Sequence, residues 1–574
     1  MITASPRRWP TPLAALTVAC LAIASSAIGI ANRFTYDDRY VIELNPFART
    51  MHQWWRVFAT SYWPPSWGGD GYRPLTILAF KIESTLGRGS PTPFHAVNIL
   101  LYALSAVLVF AIATRLLPSW AAWTAAALFA VHPVHVEAVA NSVGQSELLV
   151  ALALLGSTIL YIDARRRGEL TLRSGLAIAV LYVVACFSKE HGIVLPAILA
   201  VAELTVIDDP RPLGEKIRRL RPFYLILTAL AVAFVGVRSL VLSDHPIGGF
   251  APFTPFSSLH ITWLNRALTA LGVVPEWLRL FFWPARLSAE YGPPDIEIAQ
   301  GPSISQLPGF LILFATLTFG VLLRRRRPAI SFGIAFVCIT LLPSSNFILP
   351  AGIVLAERTL FLPSVGAMLV AGGVAVAIAD WMRARYSGPE VGRTRLLAQA
   401  SVVVVLVAGM SRSESRTLVW KDNETLFNQS VLDAPNAYRA HYMLGAWSFE
   451  KNRMRIGEAE YKKALALFPY DPSVSFNLAE RYRSVGLCRP AVPLYRWTRG
   501  LDPNYPFGRT ALAACLLADS DYAAVKPAAL DAIRAGGPVA TLRGMIATAD
   551  SAIAARKSQP GVPVTLAGTP GKVR

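Results

Sequence analysis

The chain has 574 residues, of which 53% are hydrophobic and 16% charged, and its mean hydropathy is +0.43. This composition excludes an ordinary soluble globular protein and predicts a polytopic membrane protein. The formal net charge of +19 comes largely from short Arg clusters beside apolar runs, a distribution that membrane topology explains and that argues against nucleic-acid binding.

About eleven apolar runs occupy the first 411 residues and predict a multispanning domain, residues 1–411. The runs are 12–31, 95–116, 120–138, 147–162, 174–188, 191–207, 222–242, 308–323, 328–349, 358–379 and 396–411. Crossing a bilayer takes about 20 residues, so the shorter runs extend into their flanks or lie inside the bundle. We interpret the first run as a retained anchor, with a cleaved signal peptide as the alternative.

Basic residues predict the orientation, because Lys and Arg accumulate in cytoplasmic loops. The clusters are Arg7-Arg8, 165–167, 218–221 and 324–327. An N-terminus on the cytoplasmic side keeps all of them inside only if the charged run 261–283 does not cross the membrane. We therefore predict a re-entrant or interfacial element at 261–283, about eleven crossings, and an exterior position for everything after 412.

The exterior tail repeats itself after 34 residues, since 438–471 and 472–505 carry Leu, small residues, Tyr and Pro in a similar pattern. This period resembles that of tetratricopeptide repeats and predicts an α-solenoid over 412–555. The solenoid would include a leading helix at 412–435 and a degenerate third unit at 506–539. It would serve either as a structural cap or as a peptide-docking groove. The segment 556–574, rich in Pro, Gly, Thr and Ser, is predicted to be disordered.

Six polar clusters fall on the exterior side under this topology. They are 36–38, 71–76, 95–98, 131–139, 188–192 and 356–364. A single cluster at the end of a span is explained by an interfacial salt bridge or a snorkelling side chain. Because charges at such positions cost free energy unless they are paired or functional, six clusters on one face predict a site at the exterior membrane surface.

The same clusters carry a family resemblance. In chain order they include Asp37-Asp38, Tyr72-Arg73-Pro74-Leu75-Thr76, Phe94-His95-Ala96-Val97-Asn98, His132-Pro133-Val134-His135-Val136-Glu137, Lys189-Glu190-His191-Gly192 and Ala356-Glu357-Arg358. From about Asp37 to Pro503 the chain resembles the transmembrane-and-tetratricopeptide-repeat O-mannosyltransferases. The resemblance implies an all-α membrane protein with a glycosyltransferase C-type helical bundle followed by an α-solenoid. The chain departs from the family in its few repeats and in Gln145, where the family's Arg is expected.

The resemblance further implies transfer of mannose or another sugar from a polyprenyl-phosphate donor to a protein Ser or Thr hydroxyl, with inversion at the anomeric carbon. It assigns the general base to Asp37 or Asp38, with a narrow preference for Asp37. Negative charge grows on the leaving phosphate, so Arg73, Lys189 and Arg358 are the predicted donor-phosphate ligands. The predicted supporting residues are Tyr72, His95, His132, His135, Glu137, Glu190 and Glu357, of which the glutamates would orient the cations.

His132, His135 and Glu137 lie close together and raise the question of a metal. Pro133 disrupts simple helical spacing, and no further ligand stands nearby, so we predict no metal ligands and no firm cofactor. A divalent metal, a hydrogen-bonding role near the sugar phosphate and helix packing remain the alternatives for this motif.

Other functions stay open on the sequence alone. The acceptor would otherwise be a cell-envelope glycan or lipid, or the chain would be a non-catalytic scaffold whose repeats recruit partners. A transporter is disfavoured because the polar clusters lie at one face and not near mid-membrane. The excess of Arg over Lys and the abundance of Ala are typical of a GC-rich bacterial genome and predict a bacterial inner-membrane protein. The predicted partners are the polyprenyl-phosphate sugar, membrane lipid and an acceptor protein docked on the repeats.

Overall fold

The computed structural model describes residues 11–65, 70–242, 259, 261–348, 350–385, 389–503, 505 and 507–557. Over these residues the secondary structure is helical, and the extended pairing consists of an isolated antiparallel bridge between Tyr291 and Leu355. The predicted all-α class is therefore confirmed for the described part of the chain. The chain divides into two compact units, Met1–Trp447 and Ser448–Arg574.

The first unit contains fifteen described helices and most of a sixteenth, α16, which runs into the second unit. They are α1 (Pro12–Ser26), α2 (Pro74–Leu86), α3 (Thr92–Leu116), α4 (Ser119–Ala130), α5 (Val136–Ala140), α6 (Gln145–Arg166), α7 (Leu172–Ser188), α8 (Leu195–Thr205), α9 (Leu213–Val241), α10 (Trp263–Phe282), α11 (Leu307–Leu322), α12 (Pro328–Leu341), α13 (Phe361–Arg385), α14 (Pro389–Val419), α15 (Asn423–Asp433) and α16 (Tyr438–Glu450). Short 3-10 turns precede several of them, including Ser142–Gly144 before α6 and Glu357–Leu360 before α13.

Seven segments in the described residues are long and apolar enough to cross a membrane, which is consistent with a multi-pass membrane protein. They are Pro12–Ala31, Thr92–Leu116, Ser142–Arg166, Leu213–Val241, Ile304–Leu322, Glu357–Arg385 and Gly392–Val419. The other four predicted runs form the shorter helices α4, α7, α8 and α12, of 12, 17, 11 and 14 residues. The number of eleven crossings stays a prediction, and Arg7-Arg8, on which the orientation rests, lies outside the described residues.

Local sequence signals explain where key helices begin and how closely they pack. Pro12 opens α1, where its missing N–H costs no hydrogen bond. The Asp422 side chain caps α15 by accepting the Thr425 N–H at 2.9 Å. Helices α12 and α13 touch through Gly333 and Gly366, where a Cβ on either residue would collide with the carbonyl of the other. Small residues of this kind allow the close backbone approach on which helix association in membranes depends.

Helix α10 covers the segment 261–283, predicted to be re-entrant or interfacial. At its start, Nε1 of Trp263 donates to the carbonyl of Phe347 at 3.0 Å. At its end, the carbonyl of Phe281 lies 3.0 Å from Nε2 of His132. The predicted topology places residues 132–147 and 343–357 outside, so both ends of α10 contact residues predicted to lie on one side, in agreement with an interfacial element.

The second unit contains helices α17 (Met454–Leu467), α18 (Pro472–Ser484), α19 (Cys488–Leu501), α20 (Arg509–Ala518), α21 (Tyr522–Arg534) and α22 (Val539–Lys557). Alternate helices begin at Met454, Cys488 and Tyr522, positions that advance by 34 residues each time. This interval matches the sequence repeat, while the tetratricopeptide assignment remains a prediction. Arg556 and Lys557 belong to α22, and the rest of the predicted tail, 558–574, lies outside the described residues.

A disulfide joins Cys488 of α19 to Cys515 of α20. The five cysteines, at positions 20, 186, 338, 488 and 515, show no paired spacing in the sequence, so the sequence alone does not predict this bond. A separation of 27 residues has no motif value by itself, and the two thiols meet only because consecutive helices of the unit pack against each other.

Candidate functional site

The adjacent residues Asp37 and Asp38 occupy different environments. Asp38 is fully buried, and its carboxylate accepts the N–H groups of Ser142 at 3.0 Å and Val143 at 2.8 Å. A third N–H, that of Thr35, lies 3.3 Å from the same carboxylate. Burial raises the pKa of Asp38 to about 7, although these N–H groups favour the ionised form. Asp38 thus holds the turn that leads into α6 and offers no free oxygen to a substrate.

The Asp37 side chain is 20% exposed and faces a cation. Its Oδ2 lies 3.5 Å from Nη1 of Arg358, which is also 20% exposed. Burial raises the pKa of Asp37 above its usual value, and the positive charge of Arg358 opposes this shift. A carboxylate with a raised pKa is a stronger base near neutral pH than an ordinary one.

Glu137 fixes the position of Arg358. Its Oε1 lies 2.8 Å from Nη1 of Arg358, and its Oε2 accepts the backbone N–H of Arg358 at 2.9 Å. The Glu137 side chain is almost completely buried, so this ion pair has little freedom to rearrange. One nitrogen of Arg358 therefore contacts both a buried carboxylate and the partly exposed Asp37.

Arg73 has an equivalent partner in Glu190. The Arg73 Nε donates to Oε2 of Glu190 at 2.9 Å, and the Tyr72 N–H donates to Oε1 at 3.0 Å. Burial acts to raise the pKa of Glu190, but the charge of Arg73 and the Tyr72 N–H outweigh it and lower this pKa to about 2. The guanidinium also lies 4.5 Å from the centre of the Tyr62 ring, a cation–π contact. With 22% of its side chain exposed, Arg73 remains accessible to an anion.

Lys189 is more enclosed than the two arginines. It is 6% exposed and forms an ion pair with Glu147, and His191 lies 4.0 Å from the second oxygen of Glu147. Burial lowers the pKa of Lys189 to about 8, against the opposing effect of Glu147. The turn that carries Lys189 lies against α7 at Gly192, where a Cβ would collide with the α7 backbone.

The structure brings Asp37, Arg73, Lys189 and Arg358 into one electrostatic group. The charges of Arg358 and Arg73 both lower the pKa of Asp37, and the same two charges lower the pKa of Lys189. Groups from four distant parts of the sequence therefore influence one another.

An open cleft of about 400 Å³ adjoins Arg358. Its charged and phenolic lining consists of Tyr36, Glu137, Glu290, Tyr291, Arg358 and Arg439, and its remaining wall is formed by residues 289, 292–293 and 352–356. The cleft thus has a polar floor of both signs beside a wall of mainly small and aliphatic residues.

Three predicted supporting histidines lie away from this cleft, and Glu357 bonds to one of its lining residues, Tyr291. His135 is buried, with Nδ1 3.0 Å from the Tyr102 hydroxyl and Nε2 2.8 Å from the Ser364 hydroxyl. His132 contacts the end of α10, and His95 lines a second, smaller cleft of about 190 Å³. Glu357 accepts from the Ser288 N–H and the Tyr291 hydroxyl, each at 2.6 Å, so its hydrogen-bonding partners lie in the 288–291 loop and not on a predicted cation.

The histidine motif does not gather a set of metal ligands. No group of three or more His, Cys, Asp or Glu side chains arranged to hold a metal ion occurs among the described residues. The contacts of His132 and His135 are those of side chains that join helices, which was one of the three alternatives for this motif.

Several site residues were missed by the sequence analysis. Glu290 accepts the Tyr36 hydroxyl at 2.5 Å and lies 3.1 Å from Nε of Arg439, and Glu147 neutralises Lys189. Tyr36 could have been selected from the sequence, because it directly precedes the acidic pair. No sequence motif includes Glu290 or Arg439, so only the fold reveals that they lie close together.

Gln145, the predicted departure from the family pattern, has a carboxyl partner. Its Nε2 donates to Oε1 of Glu83 at 2.6 Å, and both side chains are buried. Burial raises the pKa of Glu83 to about 8, against the opposing effect of the Gln145 hydrogen bond. A neutral amide at this position accommodates an uncharged Glu83, where an Arg would favour the charged form.

Comparison with known proteins places these residues in a wider context. The protein O-mannosyl-transferase F38B6.6 of Caenorhabditis elegans is 24% identical over 450 residues, or 76% of this chain. The human protein O-mannosyl-transferase TMTC4 is 28% identical over 487 residues, or 75% of this chain. This chain is similar to the TMTC proteins over most of its length.

The match has clear bounds. The Drosophila melanogaster protein O-mannosyl-transferase Tmtc2 is 33% identical over a shorter stretch, 45% of this chain and 28% of that relative. The chain spans 60% of the length of the worm protein and 63% of human TMTC4. No family model matches the sequence.

Proposed function

We propose that this chain is a membrane O-mannosyltransferase of the TMTC type. It transfers mannose or another sugar from a polyprenyl phosphate to a Ser or Thr hydroxyl of a protein, on the extracytoplasmic side of a bacterial inner membrane. The observation that carries the proposal is the contact between partly exposed Asp37 and Arg358 beside an open cleft, with Arg73 in the same electrostatic group. The names of the similar proteins support the reaction class.

In the proposed reaction the acceptor hydroxyl oxygen attacks the anomeric carbon of the donor. The bond from this carbon to the phosphate oxygen breaks, a new bond to the acceptor oxygen forms, and the configuration inverts. Asp37 takes the hydroxyl proton, and the bonding electron pair leaves with the polyprenyl phosphate. The raised pKa of Asp37 suits it to accept that proton.

The partly exposed arginines suit the leaving group. As the phosphodiester becomes a phosphomonoester, negative charge grows on its oxygens, and fixed cations stabilise this charge more in the transition state than in the ground state. Arg358 and Arg73 are each held by a glutamate, Glu137 and Glu190, so little reorganisation is needed when the donor binds. Lys189 contributes charge from a buried position next to Glu147.

The exterior side has support from the second unit. A disulfide such as Cys488–Cys515 persists in an oxidising compartment and is rare in the bacterial cytoplasm. We propose that the helical repeats present the acceptor polypeptide, in keeping with their 34-residue period.

The test is transfer by the purified full-length chain. It is incubated with radiolabelled polyprenyl-phosphate mannose and a membrane extract, and the labelled macromolecule is separated and identified. Asp37→Asn should reduce transfer at least a hundredfold, the lower end of the range for a catalytic base, while leaving the melting temperature unchanged. Asp38→Asn should instead lower the melting temperature, because an amide cannot accept all the N–H groups that Asp38 satisfies.

Three outcomes would contradict the proposal. Full transfer by Asp37→Asn would remove the base assignment, and absence of transfer by the wild type from any polyprenyl-phosphate sugar would remove the activity. Label in an envelope glycan or lipid, and not in protein, would replace the proposed acceptor with the alternative one.

A further inference from the structure

Tyr36, the residue before the acidic pair, has a backbone conformation that is rare for its type. Its φ angle is +55°, in the left-handed region. Gly or Asn adopts this region at low cost, whereas a bulky aromatic residue does so only when its surroundings enforce the conformation. The strained residue directly precedes Asp37, the proposed base.

Two hydrogen bonds clamp Tyr36 from opposite ends. Its backbone N–H donates to Oδ1 of Asn423 at 2.7 Å, and its hydroxyl donates to Oε1 of Glu290 at 2.5 Å. Its ring packs edge-on against Trp420, with centroids 6.2 Å apart, and lies 6.4 Å from the ring of Phe427. Backbone, ring and hydroxyl are therefore each fixed by a different partner.

The clamp stands where the acidic pair separates. On the far side of Tyr36, Asp38 turns inward to the N–H groups of Ser142 and Val143, while Asp37 remains partly exposed beside Arg358. Two neighbouring carboxylates in the same cleft would repel, and one would retain a proton. The strained residue thus lies directly before the point at which one carboxylate is buried and the other stays partly exposed beside Arg358.

We infer that Tyr36 is a positioning residue for Asp37, and that Asn423 and Glu290 hold it in its strained conformation. The inference rests on the proposed function, since it names the groups that place the proposed base. Packing would explain the buried ring, and burial alone would require partners for the N–H and the hydroxyl, but neither would impose a left-handed φ angle on a tyrosine.

The proposed catalytic unit extends beyond the last long apolar helix. Asn423, Trp420 and Phe427 follow the last long apolar helix, in the region that the sequence analysis assigned to the repeats. They belong to the first compact unit, which extends to Trp447. The segment after the last long apolar helix is then part of the active site as well as a connection to the second unit.

The test uses three variants of the full-length chain. Asn423→Ala removes the acceptor for the Tyr36 N–H, Asn423→Asp restores an acceptor oxygen, and Tyr36→Phe removes the hydroxyl. Asn428→Ala, on the exposed face of the same helix α15, is the matched control. We expect Asn423→Ala and Tyr36→Phe to lower kcat roughly tenfold or more, with KM for the lipid donor little changed. Asn423→Asp should recover most of kcat, and Asn428→Ala should match the wild type.

A second readout does not depend on activity. Carbodiimide labelling followed by mass spectrometry compares how readily the Asp37 and Asp38 carboxyls react at a single pH. Asp37 is partly exposed and Asp38 is buried, so their reactivities should differ. The wild type should label at Asp37 several-fold more than at Asp38, and Asn423→Ala should reduce this ratio. Wild-type kcat together with an unchanged labelling ratio in Asn423→Ala would overturn the inference. If the wild type showed no transfer, the proposed function would be refuted. The labelling ratio would then still test whether Tyr36 positions Asp37.

Discussion

At the scale of single residues, opposite charges flank the proposed base. Arg358 and Arg439 lower the pKa of Asp37, and Glu290 raises it, while burial supplies the largest upward shift. Glu290 and Arg439 also contact each other, with Oε2 3.1 Å from Nε. Changing one member of this pair therefore shifts the proton affinity of Asp37 without touching Asp37 itself.

This arrangement predicts opposite changes in the pH dependence of transfer. Glu290→Gln removes a negative charge, so the pKa of Asp37 falls and the acid limb of kcat should move to lower pH. Arg439→Gln removes a positive charge, so the limb should move to higher pH. Gln at position 290 keeps an acceptor oxygen for the Tyr36 hydroxyl, which preserves the clamp.

The measurement is the pH profile of kcat for both variants, with Asn428→Ala as the control. Shifts of the same sign in the two variants would indicate that Asp37 is not the titrating base. A limb unmoved by either change would lead to the same conclusion.

Element by element, apolar pattern predicted the long helices well. The seven longest apolar segments of the structure correspond to seven of the eleven predicted runs. The run 120–138 forms a shorter helix because Pro133 interrupts it, and a 3-10 turn follows α4 instead of a continued helix. An apolar run in the sequence predicts that a helix is present. Where that helix begins and ends depends on local backbone restrictions, which hydropathy does not describe.

Contacts between elements were less accessible from the sequence. The polar clusters in the sequence did not indicate that Asp38 would turn away from Arg358 and accept the N–H groups of the 3-10 turn before α6. The left-handed φ angle at Tyr36, directly before the two carboxylates, also has no signal in the sequence. The Glu290–Arg439 pair joins residues 149 positions apart, a contact that only tertiary packing creates.

The disulfide gives a prediction for the second unit. Cys488 and Cys515 close a loop with a sequence separation of 27 residues, and such a loop is worth about 3.5 kcal/mol in the chain-entropy account. Replacing both cysteines by Ser should lower the denaturant midpoint of this unit, followed by circular dichroism in the full-length chain. Reductant should reproduce the loss in the wild type and have no effect on the double variant.

Cys338→Ser is the matched control, since that thiol is not disulfide-bonded. Mass spectrometry of an unreduced digest should recover the Cys488 and Cys515 peptides as one species. Two free thiols in protein extracted with an alkylating agent would contradict both the disulfide and the exterior position that it supports.

For the whole molecule, the predicted topology depends on whether α10 crosses the membrane. If this helix crossed the membrane, the loop that carries Arg324 to Arg327 would lie on the same side as Asp37, against the usual cytoplasmic preference of Arg. Its two ends contact His132 and Phe347, both predicted to lie on the Asp37 side. An α10 that does not cross the membrane would account for both the contacts and the charges.

Cysteine accessibility in intact cells tests this topology. Single reporters at Glu43→Cys, Ser305→Cys and Arg325→Cys occupy exposed positions, and the free thiols Cys20, Cys186 and Cys338 are replaced by Ala. A membrane-impermeant maleimide should label the first two reporters in intact cells and Arg325→Cys only after permeabilisation. Labelling of Glu43→Cys and Arg325→Cys but not Ser305→Cys would mean that α10 crosses. Labelling of Arg325→Cys alone would invert the orientation and place the Asp37 site in the cytoplasm, where the proposed exterior reaction would have no access to its acceptor.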